Sequence, residues 1–186
     1  MTEQALIEQA LAGDEAAMRA LYETHRPRVM RLATALLGDA DEAEDVLQDV
    51  MVYALTRLHD YRPERAAFGT WLHTITVSRC RDRARRRHAA GRRMAEWLGL
   101  RAPHAREPER SLDRLDAADR VGRALRKLTP LQREALVLRE VEELSFREIG
   151  YVLGVPLRTA QTRVNAGYAA LRRELGQDGE SAEGGV

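Results

Sequence analysis

The side chains best suited to a chemical task lie near the start of a predicted helix over residues 157–175. Apolar residues recur at helical spacing on one side of it, namely Ala160, Val164, Leu171 and Leu175. The other side carries hydrogen-bond donors: Arg158, Thr159, Gln161, Thr162, Arg163 and Asn165. In the major groove arginine pairs with guanine, glutamine and asparagine with adenine, and threonine contacts the thymine methyl group. The pattern predicts a helix that reads duplex DNA, with the solvated face of an ordinary helical hairpin as the alternative.

A short helix and a tight turn precede this helix. Residues 146–153 (FREIGYVL) are predicted to be helical, and Gly154, Val155 and Pro156 form the turn that follows. Two helices joined in this way form a helix-turn-helix motif, whose second helix enters the major groove with its N-terminal end. The donor-rich side chains lie at that end.

A second candidate nucleic-acid surface lies in the N-terminal half. Residues 79–93 contain eight arginines and one aspartate, and they continue a predicted helix that begins at Phe68. Tyr61 precedes this helix, and Trp71 lies in its first turn. Bases of a single strand stack on aromatic rings while arginines hold the phosphates. The pattern predicts a single-strand site; the alternatives are core packing for Phe68 and Trp71 and a disordered arm for the arginines.

An acidic helix precedes the arginine-rich one. In the run GDADEAEDVLQD (38–49), the outward face gathers Asp41, Glu44, Asp45, Gln48 and Asp49. A surface that faces DNA would not carry these charges. The run is therefore either a solvated face or a docking surface for a basic protein partner.

Helical periodicity dominates the chain and strict apolar–polar alternation is missing, so the predicted fold class is all-α with two small helical domains. Four helices are expected over residues 1–95, a flexible linker over 96–112, four helices over 113–175 and a disordered acidic tail over 176–186. The individual helices are expected over 4–11, 14–37, 39–58, 68–87, 112–128, from 130, 145–153 and 157–175. Pro27 lies inside the second helix, where a kink or a break is possible.

Composition excludes several classes of protein. The formal net charge is +1, and 29 of the 30 basic residues are arginine, which suits bidentate binding of phosphate. The single cysteine, Cys80, excludes an internal disulfide. No apolar run approaches the length of a membrane span, so we expect a soluble, cytoplasmic protein. The histidines are scattered, no phosphate-binding GxxxxGK[ST] motif occurs and no nucleophile–base pair is visible, so no metal, cofactor or enzymatic activity is expected.

Three segments together resemble the extracytoplasmic-function (ECF, group IV) sigma factors of the bacterial sigma-70 family. They are AEDVLQDVMVYAL (43–55), YRPERAAFGTWLHTITVSRCRDRARRR (61–87) and LSFREIGYVLGVPLRTAQTRV (144–164). The resemblance spans about residues 1–175 and implies sigma region 2 over 1–95 and sigma region 4 over 113–175. Such a protein binds core RNA polymerase through its β′ and β subunits, directs it to promoter DNA, and is usually held inactive by an anti-sigma factor.

The resemblance also implies a role for particular residues. The segment that docks on the polymerase β′ subunit corresponds to Asp45, Val46, Gln48, Asp49 and Met51. The segment that opens and captures the minus-10 element corresponds to Tyr61, Arg62, Phe68, Trp71, Thr74, Ser78, Arg79 and Arg83. The minus-35 element would be read as duplex by Arg139, Arg158, Thr159, Gln161, Thr162, Arg163 and Asn165. Many relatives have a glycine, a threonine and then a lysine or arginine where this chain has Arg158, Thr159 and Gln161, so the minus-35 base preference does not carry over. Ser78 stands where an asparagine is common, so the minus-10 preference does not carry over either. Gly150 replaces a usual alanine, a change that the expected fold tolerates.

Other functions fit part of the sequence. A helix-turn-helix regulator, with residues 1–95 as a dimerisation or sensing domain, would explain 113–175 but neither the aromatic and arginine-rich helix nor the acidic face. A helical interaction protein, such as an anti-sigma factor or an adaptor, would use its basic surface to bind another protein and leave no footprint on DNA. A small helical enzyme has the least support, because no catalytic pair is visible.

Overall fold

The computed structural model describes residues 2–97 and 117–183, and these form helices and turns without a strand. The expectation of an all-α fold is therefore confirmed. The helices are α1 (Glu3–Leu11), α2 (Glu15–Leu37), α3 (Ala40–Thr56), α4 (Phe68–Trp97), α5 (Ala117–Lys127), α6 (Pro130–Glu140), α7 (Phe146–Leu153) and α8 (Leu157–Glu183), with a short 3-10 turn at Leu58–Asp60. Most of the expected linker, residues 96–112, lies outside the described residues.

The starts of the helices agree with the capping signals in the sequence. Asp14 and Asp39 each accept hydrogen bonds from backbone N–H groups of the following turn. Thr129 and Ser145 each form a capping box, with Gln132 and Glu148 as the reciprocal partners. These are local contacts, so sequence spacing alone predicts them.

The ends of two helices differ from the sequence-based boundaries. Helix α4 continues to Trp97 instead of ending near residue 87, and α8 continues to Glu183. Residues 176–183, expected to be a disordered tail, are therefore helical. Both extensions lose the apolar periodicity on which the boundaries were based. Residues 88–97 (HAAGRRMAEW) are rich in alanine and arginine, which favour a helix by themselves, whereas residues 176–183 (GQDGESAE) contain two glycines and no pattern that predicts a helix. Pro27 lies inside α2, which continues without a break from Glu15 to Leu37.

The N-terminal half packs α2 against α1, α3 and α4. Fully buried leucines and one aromatic ring fill the space between these helices: Leu21, Leu32, Leu47, Leu72 and Phe68. In the C-terminal half, α8 packs against α6 and α7. Its Gly167 lies where a Cβ atom would be 3.1 Å from the carbonyl oxygen of Gln132, so α8 and α6 approach closely there. The buried core of each half thus holds the helices that carry the candidate site residues: α3 and α4 in the N-terminal half and α8 in the C-terminal half.

The two halves pack against each other, which the sequence did not predict. Helix α7 contacts α4, and α6 contacts α2. Apolar residues from both halves form one continuous buried cluster that includes Leu72 of α4 and Ile149 of α7. Arginine–glutamate pairs also cross the boundary, joining Arg31 to Glu142 and Arg81 to Glu134. The arrangement is closed, with the C-terminal half resting on the N-terminal half.

Replacing Gly150 by alanine is expected to lower the free energy of unfolding by about 1–2 kcal/mol. A Cβ atom at this position would lie 2.8 Å from the backbone carbonyl oxygen of Val155, which belongs to the turn between α7 and α8. The gain in helix propensity, about 1 kcal/mol, is smaller than the cost of moving that turn. Chemical denaturation followed by circular dichroism measures the difference.

Gly122→Ala is the matched control for this substitution. Gly122 also lies in a helix, but a Cβ atom there would come no closer than 3.7 Å, to the flexible end of Arg126. This variant should be as stable as the wild type or slightly more stable. If Gly150→Ala were also neutral or stabilising, the turn would accommodate the methyl group, and the close approach would not explain why glycine occupies this position.

Candidate nucleic-acid and polymerase interfaces

The donor-rich face of α8 is available at the molecular surface. Arg158, Thr162 and Asn165 are exposed and follow each other at intervals of four and three residues, so they form one stripe. Thr159, Gln161 and Arg163 flank the stripe and are half-buried. Ala160 and Val164 point into the core, as the sequence predicted. The stripe begins at the first turn of the helix, directly after the Gly154 turn.

Arg139 is held away from this stripe. Its Nη1 donates to the carbonyl oxygen of Leu144 at 2.9 Å, and its guanidinium lies over the ring of Phe146, 5.0 Å from the ring centroid. Both contacts hold the turn between α6 and α7. In this arrangement Arg139 positions that turn, although the sequence resemblance assigned it to the minus-35 element.

Tyr61, Phe68 and Trp71 form one aromatic cluster. Their ring centroids are 5.2 Å apart for Tyr61 and Phe68, 5.5 Å for Tyr61 and Trp71, and 5.6 Å for Phe68 and Trp71. The hydroxyl of Tyr61 donates to the carbonyl oxygen of Ala66 at 3.1 Å, and burial raises the pKa of this hydroxyl. Phe68 is only 1 % exposed, whereas Trp71 is half-buried. Trp71 is therefore the ring of this cluster that remains partly open to solvent, and Phe68 belongs to the core.

Three other residues assigned to the minus-10 element follow members of this cluster along the chain. Arg62 is exposed, and its Nη1 donates to the carbonyl oxygens of His59 at 2.6 Å and Tyr61 at 3.1 Å. Thr74 is half-buried, with its hydroxyl 3.3 Å from the carbonyl oxygen of Thr70. Ser78 is exposed one helical turn further along α4. The ring contacts of Tyr61 thus join the loop before α4 to the first turn of that helix, and Thr74 and Ser78 lie on its next two turns.

Two arginines in the arginine-rich part of α4 form ion pairs with carboxylates of α3, which the sequence did not suggest. Arg83 donates to Asp45 at 2.7 Å, and Arg87 donates to Glu42 at 3.3 Å. Arg79 lies over the ring of Tyr53, 5.0 Å from the centroid. Asp45 therefore has a basic partner on the neighbouring helix, although α3 itself offers none nearby. Arg83 supports the acidic face of α3 in this arrangement.

The exposed face of α3 combines acidic and apolar side chains. Asp45, Gln48 and Asp49 are exposed, as expected. Val46 and Met51, also assigned to polymerase docking, are 3 % and 2 % exposed, so they support the helix from the core instead of contacting a partner directly. The structure adds Val52, 64 % exposed, and Tyr53, 39 % exposed. These follow Asp45 by seven and eight residues, a helical spacing from which the sequence could have identified them.

Neither a metal centre nor a membrane span is found in the described part of the chain. No group of three or more histidine, cysteine, aspartate or glutamate side chains among residues 2–97 and 117–183 could hold a metal ion. No helix in the same residues is long and apolar enough to span a bilayer. Burial raises the pKa of the lone Cys80 to about 12, so this thiol stays protonated at neutral pH.

Comparison with known families identifies both halves. The family model "Sigma-70 region 2" matches residues 21–90, and "Sigma-70, region 4" matches residues 118–171. The ECF RNA polymerase sigma factor SigW of Bacillus subtilis is 28 % identical over 177 residues, which cover 91 % of this chain and 94 % of SigW. The RNA polymerase sigma factor CarQ of Myxococcus xanthus is 33 % identical over 169 residues, covering 89 % and 92 %.

Solved structures agree with these relatives. CnrH, solved in complex with the cytosolic domain of CnrY, has a TM-score of 0.71 and 26 % identity, covering 95 % of this chain and 98 % of CnrH. The sigma factor RpoE of Bartonella quintana, solved with the anti-sigma factor NepR, has a TM-score of 0.66 at 23 % identity, covering 84 % and 95 %, and shows a shared fold. With both sigma regions present in order and relatives that match over nearly their whole length, this chain belongs to the ECF sigma factors of the sigma-70 family.

Proposed function

We propose that this sigma factor binds core RNA polymerase and reads the two promoter elements with separate surfaces, α8 for minus-35 and the Tyr61–Trp71 segment for minus-10. The carrying observation is the exposed stripe of Arg158, Thr162 and Asn165 at the start of the second helix of a helix-turn-helix. This end of such a helix is the part that meets base edges in the major groove. Thr159, Gln161 and Arg163 flank the stripe and would extend its contacts to bases or phosphates.

The minus-10 surface would work on unpaired bases. Trp71 offers part of its ring, and Tyr61 and Phe68 hold that ring from behind at 5.5 and 5.6 Å. A base stacked on an aromatic side chain gains about 1–3 kcal/mol, which helps to offset the cost of opening the duplex. Arg62 and Arg79, with Thr74 and Ser78, would contact the backbone and base edges next to Trp71.

The polymerase would dock on the exposed face of α3. Asp45, Gln48 and Asp49 supply charge and hydrogen bonds, while Val52 and Tyr53 supply apolar area at the same face. Apolar groups surrounded by charges are typical of a protein–protein interface, in which the apolar area contributes affinity and the complementary charges speed association. We assign this face to the β′ subunit. The C-terminal half would then contact the β subunit and the minus-35 DNA.

The likeness to sigma factors solved in complex with partner proteins supports regulation by an anti-sigma factor. CnrH resembles this chain over nearly its full length, and it was solved bound to the cytosolic domain of CnrY. We propose that a comparable protein holds this chain closed, and that the chain works beside RNA polymerase in the cytoplasm without an activity or cofactor of its own. The binding energy of promoter and polymerase, not a catalysed reaction, would drive promoter opening.

Run-off transcription with purified core polymerase on a promoter library tests the proposal. The expected result is transcription from a subset of promoters that share a minus-35 and a minus-10 sequence, and only when this chain is added. A footprint on duplex DNA without polymerase and no transcription would favour the helix-turn-helix regulator. No footprint under either condition would favour the interaction protein.

Charge reversal at the acidic face should weaken the complex with core polymerase. For Asp49→Arg we expect at least a tenfold loss of affinity, about 1.4 kcal/mol. The new arginine would face the basic surface of the polymerase that the acidic face is expected to contact. Asp49 has no ion-pair partner among the described residues, so its substitution breaks no ion pair within the chain. Substitution of Asp45 would break its ion pair with Arg83. Adding Asp45→Arg should weaken the complex further. Fluorescence anisotropy of labelled protein against core polymerase measures the loss.

Glu23→Arg is the matched control, since Glu23 is also exposed but lies on α2. It should leave the affinity within about twofold of the wild type. An Asp49→Arg variant that is folded, as judged by circular dichroism, and binds polymerase like Glu23→Arg would remove α3 as the docking surface.

Arg158→Ala should change which minus-35 sequences are used. Loss of one bidentate base contact costs about 1–3 kcal/mol at a single base position, so the preference at that position should relax. Gln161→Ala should act in the same way at a neighbouring position. Transcription from a library randomised in the minus-35 element measures the change.

Arg172→Ala, exposed further along α8, is the control and should not alter preference. Equal losses from every minus-35 sequence would instead identify Arg158 and Gln161 as phosphate contacts.

A further inference from the structure

A carboxylate from the C-terminal half lies in a basic pocket of the N-terminal half. Glu142, in the turn between α6 and α7, has a side chain with 0 % exposure. Arg31 of α2 donates to it twice, from Nε to Oε1 at 2.9 Å and from Nη2 to Oε2 at 3.0 Å. Arg28 Nε lies 3.6 Å from Oε2, and His73 Nε2 of α4 lies 3.1 Å from the same oxygen. One carboxylate thus faces three basic side chains.

The same kind of contact occurs a second time across the boundary between the halves. Arg81 of α4 donates from Nε to Oε1 of Glu134 at 2.8 Å and from Nη2 to Oε2 at 2.6 Å. The side chain of Glu134 is 7 % exposed. The arginine fork matches the spacing of two oxygens in a carboxylate and equally in a phosphate. Two arginines of the N-terminal half therefore hold, bidentately, groups that a phosphate could replace.

One basic side chain of the pocket around Glu142 is buried without a hydrogen bond. His73 is 1 % exposed, and neither of its ring nitrogens has a partner with hydrogen-bond geometry. Its Nε2 points at Glu142 from 3.1 Å, a close contact without the alignment of a hydrogen bond. A buried polar atom without a partner needs an explanation. A phosphate group brings more acceptor oxygens than a carboxylate and would engage this histidine together with Arg28 and Arg31.

The pocket lies next to the aromatic cluster of the minus-10 surface. Arg28 Nη1 would be 3.1 Å from a Cβ atom at Gly69, the second residue of α4. Helix α7 packs against α4, and its Arg147 and Tyr151 line a cleft of about 400 Å³ together with Arg65 and Thr70. A single strand that stacked on Trp71 would bring its backbone to the same end of α4, where α7 now lies.

We infer that Arg28, Arg31 and His73 form a binding site for a backbone phosphate of single-stranded minus-10 DNA, and that Glu142 occupies this site while the two halves are packed together. Arg81 forms a second phosphate position, occupied by Glu134. The inference rests on the proposed function, because it takes the minus-10 single strand as the ligand. DNA and the two carboxylates compete for the same guanidinium groups, so the closed chain binds single strands weakly.

Binding of a short, labelled, mixed-sequence single-stranded oligonucleotide to the full chain tests this inference, since binding to phosphate does not depend on sequence. Glu142→Gln should raise the affinity at low salt about tenfold or more, because it removes the competing charge. The slope of log K against log salt should steepen by about 0.7 for each additional phosphate that the protein neutralises. Adding Arg28→Ala and Arg31→Ala to Glu142→Gln should return the slope to the wild-type value.

Glu143→Gln is the matched control, with the same change of charge at the exposed neighbouring residue, and should bind like the wild type. If Glu142→Gln does not fold, Glu134→Gln provides the same test at the second phosphate position, Arg81, and should likewise raise the affinity for the single strand. Equal binding by Glu142→Gln and Glu143→Gln would overturn the inference. So would an increase in affinity that survives loss of Arg28 and Arg31, or a loss of polymerase affinity without a change in single-strand affinity. The proposed function fails separately, if the wild type directs no run-off transcription.

Discussion

Replacing Phe68 by alanine is expected to lower the free energy of unfolding by about 3–5 kcal/mol, a large part of the stability of an ordinary domain. Phe68 is among the largest fully buried side chains of the described residues. Its ring packs against Tyr61, Trp71 and the edge of His25, whose ring centroid is 5.0 Å away. Alanine would leave a cavity that these rigid rings cannot fill. Urea unfolding followed by circular dichroism measures the loss.

Two further variants make the Phe68 result specific. Phe68→Leu keeps most of the buried volume and should cost about 1.5 kcal/mol or less. Tyr53→Ala removes an aromatic ring that is 39 % exposed on α3, and it should change stability by less than about 1 kcal/mol. A Phe68→Ala variant as stable as Tyr53→Ala would mean that the ring is not part of the core, and its assignment to the minus-10 element would regain support.

Replacing Trp71 by alanine is expected to reduce promoter opening by about 1–3 kcal/mol, the value of one base stacked on an aromatic ring. Trp71 is the half-buried member of the cluster, so part of its ring can accept a base while Tyr61 and Phe68 keep it in place. Initial binding should fall no more than opening does. Permanganate footprinting on a natural promoter and on one with a pre-melted minus-10 region measures both steps.

Controls must separate stacking from stability, because the Trp71 ring also packs on its neighbours. Thermal unfolding is measured beside transcription, and Tyr22→Ala, a half-buried ring on α2, reports the effect of lost packing alone. Trp71→Phe keeps an aromatic face and should restore most of the opening. If pre-melting does not rescue a folded Trp71→Ala variant at all, the ring does not help to open DNA, and core packing is its role.

The two aromatic variants and the Glu142 pocket concern the same end of α4. The cluster provides a face for a base, and the pocket provides a place for a phosphate next to it. Burial by itself would raise the pKa of Glu142, but His73 and Arg31 outweigh this and lower it, so the carboxylate stays charged near neutral pH. A charged Glu142 remains a competitor of phosphate under the conditions in which promoters are opened.

The sequence by itself determined the elements and the family. Helix starts at Asp14, Asp39, Thr129 and Ser145 follow from side chains that bond to backbone atoms two or three residues away. The helix-turn-helix follows from apolar spacing and from Gly154, whose φ of 66° favours glycine. The exposed stripe on α8 follows from the same helical period. All of these depend on contacts within a few residues, which spacing in the sequence records.

Only the tertiary structure decided which of these side chains are free to act. Phe68 and Trp71 lie three residues apart on one helix, yet their depth depends on what α2 and the preceding loop place against them. Arg83 meets Asp45 across 38 residues of sequence, and Arg31 meets Glu142 across 111. An arginine looks the same in a sequence whether it faces DNA, solvent or a buried carboxylate. Its partner is set by how helices pack, and packing brings together residues whose separation along the chain carries no periodic signal.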